Sequence, residues 1–290
     1  MIFLKKFVAL MLVTLSLDLY ANPEKFSYSL KEVEDIIVEN EDGLVSVESD
    51  PSSSAISVSA TKYIFGQDHC EFRAEKQGKT LRLFGGKKKS AEKVSSCKVD
   101  IQLKVVPVTS LHFKDLGSSN LKFKGITQKP LLFRVGSGSV LLDGQLLELE
   151  GTVGSGDVQV TGLLGKALLK SGSGSVRIVF SDKSSEKSSA QVSTGSGSIF
   201  ISASKSAHTM LETGSGSLNV QYVQVPESGE LQMRTGSGNM KVLMPKDSKI
   251  LSQFRSGAGK IYNELGDQKD AKFIIYSDSG AGNLDLVKTL

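Results

Sequence analysis

The sequence predicts an all-β chain: a single-chain parallel β-solenoid (β-helix) with Gly-Ser-Gly corners, its irregular N-terminal coils acting as a cap. Three observations predict it. A Gly-Ser-Gly phrase recurs at a nearly constant interval, aliphatic positions alternate with mixed ones around it, and length variation falls in one place per repeat.

The phrase opens as Gly136-Ser137-Gly138-Ser139 and returns as Gly154-Ser155-Gly156-Asp157 and Gly172-Ser173-Gly174-Ser175. Gly195-Ser196-Gly197-Ser198, Gly214-Ser215-Gly216-Ser217 and Gly236-Ser237-Gly238-Asn239 follow. Gly257-Ala258-Gly259-Lys260 and Gly280-Ala281-Gly282-Asn283 close the series, and a degenerate copy, Gly117-Ser118-Ser119-Asn120, precedes it. First-glycine intervals from 117 are 19, 18, 18, 23, 19, 22, 21 and 23 residues. Periods of this size belong to stacked repeats, each of which needs neighbours to bury its apolar face.

Four places after the first glycine stand Val140, Val158, Val176, Ile199, Leu218, Met240, Ile261 and Leu284. Six places on stand Leu142, Val160, Ile178, Ile201, Val220, Val242, Asn263 and Leu286, while the column between them is chemically mixed. That alternation is the signature of a half-buried strand. Before each corner Phe133/Val135, Leu149/Val153, Val192/Thr194, Leu211/Thr213 and Leu231/Met233/Thr235 point inward by the same logic. The inward parity shifts across the corner, which predicts glycines that adopt positive φ and permit a bulge or tight corner a Cβ would obstruct. The central serines are expected to stack about 4.8 Å apart as a hydroxyl ladder.

Residues 22–116 alternate less regularly, with turn chemistry at Asn40-Glu41-Asp42-Gly43, Asp50-Pro51-Ser52 and Gly85-Gly86. They are expected to form imperfect first coils and a cap, because a bare solenoid end exposes unpaired strand edges. Residues 117–290 form the regular repeats, continuous with that part. Lys87-Lys88-Lys89 reads as a solvated hairpin tip, and the final copy at Gly280 predicts an exposed last coil that self-associates or is guarded by Asp285 and Lys288.

Lys5 and Lys6, an apolar run from Phe7 to Leu17 and the small Ala21 read as a signal peptide over 1–21. The run is too short to span a bilayer, which takes about 20 apolar residues. The expected compartment is therefore periplasm, cell surface or medium, with no transmembrane segment after cleavage. Without that segment the charge is +3, too balanced to suggest nucleic acid as a partner. In an exported chain, Cys70 and Cys97 are expected to close a disulfide.

The Gly-Ser-Gly-[Ser/Asp/Asn]-aliphatic-x-aliphatic units and the run Val99-Asp100-Ile101-Gln102-Leu103-Lys104-Val105-Val106-Pro107 carry a resemblance. From about residue 33 to 290 the chain resembles the bacterial putative-adhesin β-strand-repeat family, related to the head domain of putative autotransporter adhesins. The resemblance implies an exported β-solenoid and adhesion, and brings no catalytic residues.

No cofactor or metal is expected. The glycines fit neither a P-loop nor a dinucleotide fingerprint. Asp157 matches one unit of a calcium β-roll, but its equivalents are Ser, Asn or Lys, whereas Ca²⁺ takes 6–8 oxygen ligands. Glu148 and Glu150 are expected on one strand face, with Leu147 and Leu149 on the other; that pair, with Asp157 one coil along, is the candidate for a carbohydrate-active β-helix enzyme, a lyase or hydrolase. His69, His112 and His208 are scattered. Two places before each corner, Arg134, Lys170, Arg234 and Arg255 form a candidate surface binding stripe for acidic sugars or phosphates, interrupted by Thr152, Ser193, Glu212 and Asp278. The leading expectation is a non-enzymatic binding or structural module at the cell envelope, partnered by a surface glycan or an envelope protein. Its alternatives are the carbohydrate-active enzyme and a periplasmic scaffold of an envelope stress response.

Overall fold

The computed structural model describes residues 21–29, 32–63, 70–88, 97–203 and 205–289. The predicted signal segment up to Tyr20, and with it His69 and Lys89, lies outside them. The described chain is all strand and connection, without helix. In order it forms β1 (Ala21–Ser29), β2 (Asp35–Asn40), β3 (Leu44–Ser49), β4 (Ala55–Tyr63), β5 (Cys70–Gln77), β6 (Thr80–Lys87) and β7 (Lys98–Val105). Then come β8 (Ser110–Asp115), β9 (Asn120–Thr127), β10 (Leu131–Val135), β11 (Val140–Val153), β12 (Val158–Ser171), β13 (Val176–Phe180), β14 (Ser189–Thr194), β15 (Ile199–Ala203) and β16 (His208–Thr213). The rest are β17 (Leu218–Tyr222), β18 (Gly229–Thr235), β19 (Met240–Pro245), β20 (Leu251–Ser256), β21 (Ile261–Asn263), β22 (Phe273–Ser279) and β23 (Leu284–Thr289).

Equivalent strands of successive repeats pair in parallel and in register. Val140 lies beside Val158, Val158 beside Val176, Val176 beside Ile199, Ile199 beside Leu218 and Leu218 beside Met240. Both aliphatic columns are buried through these repeats, as the alternation predicts. Each fully buried Val, Leu or Ile contributes about 1.5–3 kcal/mol, so the stacked columns supply the main cohesion. Phe113, Phe123 and Phe273 add bulk to the same core.

Ahead of the corners the neighbours run β5, β6, β2, β8, β10, the second halves of β11 and β12, then β14, β16, β18, β22 and β20. After the corners they run β1, β4, β7, β3, β9, the first halves of β11 and β12, then β13, β15, β17, β19, β23 and β21. Among the described residues the antiparallel pairings are β1 with β4, β4 with β7 and β5 with β6, all at the N-terminal end. There the pattern changes from stacking to closing off. Cys70 at the start of β5 is bonded to Cys97 just before β7, with Cα atoms 5.3 Å apart, so the predicted disulfide ties this end together.

Spatial order departs from chain order at both ends. The β6–β7 repeat lies outside β2–β3, and β22–β23 inserts between β18–β19 and β20–β21. The exposed last repeat is therefore the one at Gly257. Asp285 and Lys288 sit on β23, one layer inside, and are not the guards of the end.

The corner glycines are needed for a different reason from the expected positive φ, which none of Gly136, Gly138 and their equivalents through Gly282 adopts. A Cβ on Gly156 would lie 1.9 Å from the carbonyl oxygen of Gly138, and one on Gly174 equally close to that of Gly156. Gly280 meets the Gly236 carbonyl at 2.3 Å and Gly257 meets that of Gly280 at 2.6 Å. The corners thus stand in one file, so close that backbone occupies the space a side chain would need.

Candidate binding face

Three files of side chains surround the corners. The inner one stands just before the first glycine: Ser171, Thr194, Thr213, Thr235 and Ser279 are buried, and Ser256 on the last layer is half-buried. The Thr213 hydroxyl donates to the Gly197 carbonyl at 3.0 Å and accepts from the Gly216 N–H at 3.1 Å. Thr235 does the same with Gly216 O and Gly238 N, at 3.1 and 3.0 Å. These hydroxyls satisfy corner backbone that the ladder leaves unpaired, and are spent on structure. Thr213→Val keeps the shape, since Val135 and Val153 occupy this file in earlier repeats. Its expected cost is about 1–2 kcal/mol, read from the urea unfolding midpoint.

The predicted hydroxyl ladder of central serines forms a single link among the described residues, Ser137 to Ser118 at 3.3 Å. The bonding lies one place later. The carboxylate of Asp157 accepts from Ser175 N at 2.8 Å, Asn120 Oδ1 from Ser139 N at 2.9 Å and Asn239 Oδ1 from Asn283 N at 3.0 Å. This explains the Ser/Asp/Asn preference of the motif's fourth position and gives Asp157 a structural duty.

The outermost file, two places before each corner, holds the predicted stripe. Its order is Arg134, Thr152, Lys170, Ser193, Glu212, Arg234, Asp278 and Arg255. Chain order would set Arg234 beside Arg255; the inserted β22 puts Asp278 between them. Arg234 Nε lies 3.7 Å from Asp278 Oδ2 in a half-exposed ion pair, a geometry worth about 0–1 kcal/mol. The stripe's four basic residues share one file, but Glu212 and Asp278 divide its charge. A trough of about 900 Å³ runs beside it from Lys170 to Arg255.

Two places further back the same strands present Gln232, Tyr276 and Gln253 in register. Tyr276 is half-buried, flanked by one amide on each side at the strand spacing of about 4.8 Å. A second hollow of about 390 Å³ joins this row to Arg234, Asp278 and Arg255, with Glu230 at its edge. An aromatic ring, two amides and an alternating charged row thus converge on one face. Such a set can stack on an apolar surface and hydrogen-bond polar groups around it. Tyr276 was not among the predicted site residues. Its signal is present as the one aromatic in the column four places before the corners from Gly136 onward, alongside Leu132, Glu150, Leu168, Gln191, Met210, Gln232 and Gln253.

Of the residues considered for catalysis, Glu150 and His112 line a hollow of about 490 Å³ with Glu39, Asp115 and Arg134, while Glu148, Asp157 and His208 lie apart from it. Glu148 pairs with Lys166 and Glu150 with Leu168. Leu149 is buried, as expected, but Leu147 is 49% exposed, because register shifts around Leu146 rotate the strand there. His112 stands on β8 and His208 on β16. Among the described residues no three His, Cys, Asp or Glu side chains gather as a metal site would need, and no helix is long and apolar enough to cross a membrane.

No family model and no curated protein matches the sequence. Among solved structures the chain is similar to a putative lipid binding protein from Parabacteroides distasonis, at 15% identity and a TM-score of 0.44, over 93% of this chain and 97% of that one. It is also similar to a putative adhesin from Parabacteroides distasonis, at 14% identity and a TM-score of 0.39, over 92% and 97% of the two chains. A putative adhesin from Bacteroides fragilis aligns at 13% identity and a TM-score of 0.38, over 91% and 97%.

Proposed function

We propose that the chain is an exported, non-enzymatic β-solenoid of the adhesin type, a binding module of the bacterial cell envelope that takes a surface glycan on the face around Tyr276. In this reading residues 1–21 are the signal peptide, 22–116 the irregular coils and cap, and 117–290 the regular repeats. The Cys70–Cys97 disulfide supports export, since such bonds persist in oxidising compartments. In-register parallel pairing between repeats, and corners standing in one file, support the solenoid.

The observation that carries the functional reading is the row Gln232–Tyr276–Gln253 beside the row Arg234–Asp278–Arg255. A sugar ring offers an apolar face to an aromatic and hydroxyls to amides and charges. Because Asp278 and Glu212 offset the basic groups, a neutral or sparsely charged glycan suits the face better than a polyanion. Binding of the purified protein to immobilised neutral and uronic-acid glycans, at low and high salt, tests this. Tyr276→Ala is expected to weaken binding about ten-fold, with little salt dependence in either protein. Binding indifferent to Tyr276→Ala would sink the site, and release of cleaved sugar would establish an enzyme instead.

A further inference from the structure

The two ends of the strand stack are finished differently. At the N-terminal end antiparallel β5 covers one side, with Arg73 lying between Glu71 and Glu75 at 3.4 and 3.6 Å, and antiparallel β1 and β4 cover the other. At the opposite end the last layer is β20 and β21. The connection after β21 folds over β20, where Asp267 accepts the Ser252 N–H at 2.8 Å and Gln268 N donates to Ile250 O at 2.8 Å. Among the described residues the β21 edge has no such cover. Ile261 is 44% exposed, whereas Val140, Val158, Val176, Ile199, Leu218, Met240 and Leu284 in the same column are buried, and Tyr262 is 58% exposed.

The backbone of β21 shows which groups are free. Leu284 N donates to Lys260 O at 3.0 Å and Glu264 N donates to Leu286 O at 3.0 Å, so the backbones of 260, 262 and 264 face β23. By alternation, the N–H and C=O of Ile261 and Asn263 face the open edge. An antiparallel copy of the same strand, centred on Tyr262, would place Ile261 opposite Asn263 twice over. Those are the residues whose free groups exchange hydrogen bonds in such a pair. The same register sets Lys260 opposite Glu264 on both flanks of a Tyr262–Tyr262 contact. Strand polarity, free backbone groups and charge therefore all complement themselves in one register. A heterologous partner would not need this symmetry, but a two-fold pair does.

We propose that the protein forms an end-to-end two-fold dimer by antiparallel pairing of β21 with β21 of a second copy, flanked by Lys260–Glu264 ion pairs. The face around Tyr276 then appears twice on one assembly, which would raise avidity for a repetitive surface. The pairing itself does not depend on what that face binds.

Sedimentation equilibrium of the purified protein over a wide concentration range tests the proposal. A monomer–dimer equilibrium is expected. Lys260→Glu sets like charges opposite each other at both flanks and is expected to weaken dimerisation about ten-fold or more. Glu264→Lys should do likewise, and the double variant, with the signs exchanged, should restore the dimer. Because Glu264 also accepts from Tyr262 Oη at 3.1 Å and Lys288 N at 3.0 Å, circular dichroism and the unfolding midpoint must show each variant folded before its dimerisation is compared. Four results would overturn the proposal: a monomer at every concentration, open-ended polymers, a dimer unaffected by Lys260→Glu, or folded double variant that stays monomeric.

Discussion

Replacing Gly238 by alanine is expected to destabilise the protein by about 3 kcal/mol or more, although the change adds one methyl group. The Cβ would lie 1.8 Å from the Gly216 carbonyl oxygen and 2.5 Å from its carbon. Backbone at a stacked corner cannot step aside, because Gly282 rests on Gly238 in turn, with its own Cβ position 1.8 Å from the Gly238 oxygen. The Gly238 N–H is moreover held by Thr235. Gly266→Ala is the control: Gly266 has φ of +73° with nothing within 4 Å of its Cβ position, so it should cost about 1 kcal/mol from backbone strain alone. Urea unfolding compares the two, and amide exchange should locate the damage in β17–β23 and spare β2–β9, because repeats transmit instability mainly to neighbours. Equal, mild effects from both substitutions would show that corner stacking is not what demands glycine.

Breaking the Cys70–Cys97 bond, by reduction or by replacing both residues with serine, is expected to remove about 3.5 kcal/mol. The bond closes a loop spanning 27 positions, and that is the chain entropy its release returns to the unfolded state. The loss should appear at the N-terminal end as faster amide exchange in β5 and β6, with the repeats beyond β11 protected as before. An unchanged unfolding midpoint under reduction would mean that the antiparallel pairing of β1, β4, β5 and β6 holds this end without its covalent tie.

The repeat was legible because close stacking leaves a local trace. A corner whose every layer lies against the backbone of its neighbour must keep Gly at both places, and a core column shared by all layers must keep Val, Ile, Leu or Met. Even the hydroxyl file was visible, since Thr194, Thr213 and Thr235 stand at one offset, though their task of bonding the corner carbonyls of Gly174, Gly197 and Gly216 and the corner N–H groups shows only in the fold. Of the two causes the sequence offers for the glycines, the obstructed Cβ holds and the positive φ does not. Composition reports that a Cβ is forbidden, but not whether φ or a neighbouring carbonyl forbids it.

The candidate site was only half legible. Offset from the corners identifies its basic members, but chain order gives them the wrong neighbours where β22 enters between β18 and β20. That insertion places Asp278 between Arg234 and Arg255, carries Tyr276 between Gln232 and Gln253, and moves the open edge from β23 to β21. The amino-acid order by itself determined the strands, the corners and the buried columns of the inner repeats, since these follow from periodicity within a single repeat; Leu147, turned outward by a register shift, and Ile261, on the last layer, depart from it. Which repeat lies against which was decided only by the tertiary structure. Every repeat presents nearly the same aliphatic columns and corner, so local sequence accepts any neighbour, and the connections select among them.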